Sequence, residues 1–203
     1  MEKYPEAATE RFDNANFHIK YCLSIIKKYI AGDVLEVGAG CGSFTRNYYN
    51  KKIKNVVLTE TDEKNIYTLK NKFRNFKNFE VLNLSIDKID KKFNSILYFH
   101  VLEHIKDDLE EIEKAKSKLN SGGHLVFIVP ASKRIYGNLD KAVGHFRRYE
   151  KEFFKKDLLD LELLNLKHLD SIGYVLYYLN KIFFSKKTFP SNFKIFLWDK
   201  FFT

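Results

Sequence analysis

The sequence predicts an α/β fold in which a mostly parallel, doubly wound sheet has helices on both faces. Three observations support this prediction. Short apolar runs alternate with amphipathic segments, a glycine-rich turn joins a strand to a helix at residues 34–45, and a second strand ends in Glu60. Such alternation is typical of βαβ units with right-handed crossovers.

The elements follow in order along the chain. A helical lead-in is expected over residues 12–31, with one apolar face formed by Phe17, Tyr21, Ile25 and Ile26. Strands are expected near residues 33–38, 55–60, 79–84, 95–100 and 124–129, with a sixth near Leu163–Leu169. Helices are expected near residues 43–52, 63–74 and 107–120. The last of these is predicted to end at Asn120–Gly123 with a left-handed stop, and a long irregular loop is predicted over Pro130–Val143.

Composition restricts the classes of protein to which this chain can belong. A chain of 203 residues is expected to form one domain. Its formal charge of +9 suggests nucleic acid, but the lysines are scattered and form no basic stripe, so a solvated surface is the better interpretation. No stretch has the apolar length of a membrane span, the N-terminus lacks a secretory apolar region, and two cysteines cannot form a disulfide framework. We therefore expect a cytoplasmic protein.

The turn after the first strand is the strongest functional signal. Gly38, Gly40 and Gly42 alternate with other residues directly before a helix start at Ser43. Glycines in that position let bare backbone approach a ligand at a helix N-terminus. The alternative is a sharp strand-to-helix turn that binds nothing.

The spacing and charge of this turn indicate which ligand it binds. The glycines follow G-x-G-x-G, whereas a dinucleotide site has G-x-G-x-x-G. With Glu36 two positions earlier, the pattern resembles the first motif of class I S-adenosylmethionine-dependent methyltransferases. A carboxylate would repel a pyrophosphate and attract the ammonium and sulfonium groups of S-adenosylmethionine, so NAD is the less favoured cofactor.

A carboxylate at the end of the second strand supports the same ligand. Glu60 follows the glycines by about one βα unit and can accept hydrogen bonds from both ribose hydroxyls. Asp62 is a weaker competitor for this role. The alternative for Glu60 is a solvated acid at a strand end.

Two histidines and a carboxylate follow the fourth strand. If a helical turn begins after Phe99, then His100, Glu103 and His104 share one face, and His145 could join them from the later loop. Such a group could act as a general base or as ligands of a divalent ion. The alternative is that these side chains only hold the loop by hydrogen bonds.

Several further motifs carry a wider resemblance. Residues 98–108 (YFHVLEHIKDD), residues 119–125 (LNSGGHL) and residues 144–149 (GHFRRY) resemble a subgroup of small-molecule class I methyltransferases. The resemblance implies the Rossmann-like methyltransferase fold, whose sheet normally ends in an antiparallel hairpin of two strands. This sequence departs from that pattern, since only the sixth strand is expected and the hairpin could be incomplete. The resemblance also implies a cofactor site for S-adenosylmethionine at Glu36, Gly38, Ala39, Gly40, Gly42, Glu60, Thr61, Ser85, Ile86, Phe99 and His100.

The implied activity is methyl transfer to an oxygen or nitrogen of a small molecule, which could be an apolar or cell-envelope compound. His104, His145 and Glu103 are the candidate catalytic residues. The layout also resembles magnesium-assisted methyltransferases, although these usually have glutamate where His100 stands, so Mg²⁺ is the weaker expectation. A nucleic-acid methyltransferase and a non-catalytic S-adenosylmethionine-binding subunit are the alternatives.

The predicted domain has three segments, which are a helical N-terminal lid (1–31), a cofactor-binding core (32–170) and an aromatic-rich C-terminal segment (171–203). The aromatic segment could form an apolar acceptor pocket or a face that rests on a membrane or a partner. The alternative is helices packed over the sheet.

Overall fold

The computed structural model describes residues 15–155, 160–169, 174–175, 178, 196 and 199–200. These residues fall into two compact units. The sheet unit contains residues 19–102 and 107–128, and the loop unit contains residues 103–106, the described residues from 129 onward and residues 15–18.

The sheet unit is built on five parallel strands. They are β1 (Gly32–Val37), β2 (Ile53–Thr59), β3 (Phe79–Leu82), β4 (Phe93–Phe99) and β5 (Leu119–Ile128), in the spatial order β3-β2-β1-β4-β5. The helices of this unit are α1 (Asn16–Ile26), which begins in the loop unit, α2 (Thr45–Tyr48), α3 (Glu63–Phe73) and α4 (Asp108–Ser117). Because the strand order reverses beside β1, right-handed crossovers put helices on both faces, and the predicted fold class is confirmed.

The strands form because their apolar runs are buried on both faces. Val34, Leu58 and Leu97 come from three neighbouring strands and are completely buried in the main apolar cluster. Such two-sided burial is typical of parallel sheets. The first five predicted strands are therefore confirmed, with ends shifted by a few residues.

The apolar face of α1 differs from the prediction. Ile19, Cys22 and Leu23 are buried, whereas Phe17 and Tyr21 are 56% and 41% exposed. Both sets have helical spacing, so periodicity alone could not select between them.

The segment before β5 also differs. Helix α4 ends at Ser117, and the predicted glycine stop lies inside β5. The register moves from Phe93 opposite Leu119 to Ser95 opposite His124, so the strand bulges there, and Gly122 adopts a φ of 71° in the bulge.

The loop unit is more structured than predicted. Its helices are α5 (Asn138–Ala142) and α6 (Lys151–Lys155), and a 3₁₀ turn spans Lys133–Ile135. The predicted irregular loop over Pro130–Val143 therefore contains helical turns. Near its start, Ala131 forms an isolated β-bridge with Tyr149.

The predicted sixth strand is wrong. Residues 161–169 adopt no regular structure, and Leu163 and Leu164 are 45% and 53% exposed. Of the C-terminal aromatic residues, Tyr174, Tyr178 and Phe196 are described and exposed, and the others lie outside the described residues. Within the described part of the chain, no helix combines the length and apolar character that crossing a bilayer requires.

Candidate cofactor and catalytic sites

The glycine turn follows β1 at the carboxyl edge of the sheet. A Cβ on Gly38 would lie 2.8 Å from Val101, and one on Gly42 would lie 2.9 Å from Leu69 and Phe73. These two glycines therefore allow close packing inside the protein. Gly40, by contrast, has a φ of 55°, and no atom of the described residues lies within 4 Å of its would-be Cβ, so among those residues its side is open to a ligand.

Glu60 is held beside that open side. One carboxylate oxygen accepts the Gly40 N–H at 2.8 Å, and the other accepts the N–H groups of Thr61 at 2.6 Å and Asp62 at 3.0 Å. The register pairs Val37 with Thr59, so the turn and Glu60 follow directly from paired strand ends. Asp62 instead caps α3 by accepting the Asn65 N–H at 2.9 Å, which explains why it is the weaker candidate.

Glu36 is buried rather than open to solvent. Its carboxylate accepts hydrogen bonds from the Thr45 hydroxyl at 2.6 Å and the Tyr48 hydroxyl at 2.8 Å, and the residue is only 2% exposed. Burial raises the pKa of Glu36 to about 7, although the two hydroxyl donors oppose the rise. Glu36 thus joins β1 to α2, which the spacing in the sequence did not indicate.

The remaining predicted cofactor residues differ in accessibility. Ala39 is mostly buried and donates its N–H to Thr59 at 2.9 Å, which fixes the turn. Thr61 and Ser85 are exposed, whereas Ile86 is 1% exposed and offers almost no surface to a ligand. Phe99 is buried against the Phe44 ring at 4.6 Å.

His100 ends β4 in an unusual conformation. Its φ is 56°, which side-chain-bearing residues rarely adopt, and its N–H donates to Ile128 at 2.8 Å. The chain then forms a 3₁₀ turn at Leu102–His104 instead of the α-helical turn expected after Phe99. The predicted shared face of His100, Glu103 and His104 does not form, because the spacing argument assumed 3.6 residues per turn.

A histidine cluster, defined as Glu103, His104 and His145, lies within the loop unit. One potential ligand atom from each residue lies within 4.8 Å of those of the other two. The His104 and His145 rings meet edge to face at 4.7 Å, and His145 Nε2 is 3.9 Å from Glu103 Oε1. His145 therefore joins Glu103 and His104 as predicted.

The cluster is supported by residues to which we assigned no role from sequence. Asp140 Oδ1 contacts His145 Nδ1 at 3.0 Å and Arg148 Nε at 2.7 Å. The Glu103 carbonyl accepts the Phe146 N–H at 2.8 Å, so the backbone of Glu103 does hold the loop. In the sequence, Asp140 lies five residues before the candidate histidine His145, and this spacing was the signal that could have identified Asp140.

A glycine turn and a strand-end carboxylate at the switch point of a parallel sheet are typical of α/β proteins that bind a nucleotide-like ligand at this edge of the sheet. A family model described as a methyltransferase domain matches residues 10–171. The chain belongs to this family of methyltransferase domains.

Individual relatives resemble only part of the chain. Ribosomal RNA small subunit methyltransferase A from Prochlorococcus marinus (strain MIT 9515) is 35% identical over 69 residues, which are 32% of this chain and 25% of that protein. TehB from Haemophilus influenzae has a TM-score of 0.59 at 16% identity, covering 72% of this chain and 52% of that chain.

The glycopeptide N-methyltransferase MtfA, solved with S-adenosyl-L-methionine, has a TM-score of 0.50 at 14% identity, covering 59% of this chain and 53% of that chain. This chain thus spans about half of both solved structures and a quarter of the curated relative. At these identities the two structures support the fold.

Proposed function

We propose that the protein transfers the sulfonium methyl group of S-adenosylmethionine to an oxygen or nitrogen of a small-molecule acceptor, with His145 as general base. The histidine cluster carries this proposal, because it gathers two imidazoles and a buried carboxylate in one place. In sequence, only Val101 and Leu102 separate His100, at the end of β4, from Glu103.

The cofactor side of the proposal rests on Gly40 and Glu60. Gly40 would leave room for the adenosyl group, and the Glu60 carboxylate would accept hydrogen bonds from its ribose hydroxyls. The open surface at Gly40 and the adjacent Glu60 oxygen support this assignment. Thr61 and Ser85 are exposed and extend the site, while Glu36 orients α2 through its hydrogen bonds with Thr45 and Tyr48.

The reaction is an in-line substitution at the methyl carbon. The acceptor's lone pair forms the new carbon–oxygen or carbon–nitrogen bond, and the sulfur–carbon bond breaks with its electron pair left on sulfur. The product is the neutral thioether S-adenosylhomocysteine, and the acceptor's proton passes to His145 Nε2. Glu103 stabilises the resulting imidazolium across 3.9 Å.

An apolar or cell-envelope compound is the acceptor class that we favour. Phe146 follows His145 directly and is 53% exposed, so it offers an apolar surface next to the proposed base. Neither Cys22 nor Cys41 is in a disulfide bond, and the setting that we propose for the protein is the reducing cytoplasm.

A nucleic-acid acceptor is the second candidate. The 69-residue match to a ribosomal RNA methyltransferase favours it. Binding of this kind would weaken steeply as salt concentration rises, because it depends on phosphate contacts.

A divalent ion at the histidine cluster is an alternative use of the same side chains. Glu103, His104 and His145 would hold it, and it would polarise an acceptor oxygen. Two imidazoles and one carboxylate are a poor set for Mg²⁺, which prefers oxygen ligands, and a better set for Mn²⁺, Fe²⁺ or Zn²⁺.

The test is a transfer assay with isotopically labelled methyl donor. Extracted small molecules, envelope lipids and total RNA are offered separately, and label in each fraction is measured with S-adenosylhomocysteine release. Transfer to a small-molecule or lipid fraction supports the proposal. Transfer to RNA alone, with a steep salt dependence, would establish the second candidate instead.

A further inference from the structure

The structure assigns a positioning role to Asp140, which has no role in the predicted site. We propose that Asp140 holds His145 in the tautomer that leaves Nε2 unprotonated and ready to accept a proton. This inference rests on the proposed function of His145 as general base.

The Asp140 carboxylate lies among several nitrogen atoms of the loop unit. Oδ1 contacts His145 Nδ1 at 3.0 Å and accepts from Arg148 Nε at 2.7 Å, while Oδ2 accepts the Gly137 N–H at 2.9 Å. Asp140 is 1% exposed, so these contacts exclude water. The Gly137 N–H and the Arg148 guanidinium donate to this carboxyl group and favour its ionised form, and an ionised carboxylate can only accept hydrogen bonds.

The contact with Asp140 determines which ring nitrogen of His145 carries the proton. Since the carboxylate oxygen can only accept, Nδ1 must carry the proton. A neutral imidazole has one N–H, so Nε2 is then left with its lone pair. Nε2 is the atom that lies 3.9 Å from Glu103 Oε1, beside the His104 ring.

The backbone of His145 is also fixed by hydrogen bonds. Its N–H donates to the Asp140 carbonyl at 2.9 Å, and its own carbonyl accepts the Tyr136 hydroxyl at 2.8 Å. Asp140 thus binds both the backbone and the ring of His145. Because both its backbone and its ring are held, the imidazole keeps one orientation, as general-base catalysis requires.

The test reads the tautomer directly. The protein is labelled with ¹⁵N-histidine, and two-bond proton–nitrogen spectra assign each ring, with His145 identified by its absence in His145→Gln. In the wild type at a pH where the ring is neutral, we expect protonated Nδ1 and bare Nε2. A wild-type ring protonated at Nε2 would overturn the proposal without any Asp140 variant.

The Asp140→Asn variant measures the effect of the carboxylate. An amide cannot accept at both oxygen positions, so we expect a rise in the Nε2-protonated form and a fall in kcat of ~10²-fold, within the range of general-base contributions. Donor affinity by calorimetry should stay unchanged. Asp108→Asn, at a 4% exposed acid outside the loop unit, is the control and should alter neither His145 tautomer nor kcat.

Chemical rescue separates positioning from folding. Asp140→Ala removes the carboxylate, and added formate should restore part of kcat by occupying its place beside Nδ1 and Arg148. An unchanged tautomer and kcat in Asp140→Asn would overturn the proposal. If His145→Gln keeps full turnover while Asp140→Asn still shifts the tautomer, the base assignment fails and the positioning contact stands.

Discussion

The backbone N–H of Gly40 donates to the Glu60 carboxylate across 2.8 Å, which connects the centre of the glycine turn to the end of β2. The open side of the turn and the candidate ribose acceptor are therefore neighbours before any cofactor binds. A ligand that enters here meets a preorganised carboxylate, which lowers the cost of binding.

Gly40→Val should abolish measurable donor binding, because the new side chain occupies the adenosyl space. Gly122→Val is a matched control, since Gly122 also has positive φ (71°) and no described residue within 4 Å of its would-be Cβ but lies in the β5 bulge. Both variants lose stability from backbone strain, of the order of 1–2 kcal/mol. Calorimetric titration with S-adenosylhomocysteine should then separate them, and equal affinity for both would contradict the site.

Glu60→Gln should weaken donor binding by ~10- to 100-fold, because hydrogen bonds to a charged group contribute about 1.5–3 kcal/mol. The control is Asp62→Asn, which changes the neighbouring acid but keeps an N-cap for α3. Dissociation constants of both variants are measured against the wild type. A larger loss in Asp62→Asn would move the ribose contact to Asp62.

The pKa of Glu36 predicts a pH dependence of stability. Burial raises it from an ordinary value of 4.5 to about 7 in the folded protein, so the folded state binds the proton more tightly than the unfolded state. The resulting stabilisation is complete below pH 4.5 and is lost as pH rises to about 7, by roughly 3 kcal/mol at 1.36 kcal/mol per pKa unit.

Glu36→Gln tests this assignment, because glutamine can still accept from Thr45 and Tyr48 but does not titrate. Urea unfolding of both proteins between pH 4.5 and 8 gives the free energy of unfolding at each pH. The wild type should lose stability relative to the variant as pH rises. Parallel curves would show that Glu36 is ionised throughout.

How far the sequence predicts this molecule depends on the physical origin of each feature. Strands β1, β2 and β4 were predictable because their two-sided burial requires continuous apolar runs such as Val56, Val57 and Leu58. Apolar spacing alone failed at residues 161–169, where exposed Leu163 and Leu164 lie in a segment without strand pairing.

The sites show the same contrast. Gly40 and Glu60 follow from local motifs, whereas the burial of Glu36 depends on where the short helix α2 places Thr45 and Tyr48. His100 does not share a face with Glu103 and His104 as predicted, because its backbone adopts a positive φ and a 3₁₀ turn follows. These are properties of tertiary packing, to which spacing along the chain is not sensitive.

His145→Gln and His104→Gln should lower kcat while leaving donor affinity within about twofold of the wild type. Loss of a general base costs about 10²- to 10⁴-fold, and we expect the larger effect at His145, whose ring Asp140 contacts. His124→Gln is the control, because its ring packs on Tyr29 in the sheet unit. Equal losses of kcat and donor affinity in His145→Gln would assign it a structural role.

Chelation distinguishes a general base from a metal site at the same three side chains. If His145 acts as a base, dialysis against EDTA followed by metal-free buffer should leave kcat unchanged. If Glu103, His104 and His145 hold an ion, kcat falls on dialysis and Mn²⁺, Fe²⁺ or Zn²⁺ restores it better than Mg²⁺, since imidazole nitrogen suits those ions. His104→Gln should abolish that restoration, because it removes one of three ligands, whereas His124→Gln should preserve it.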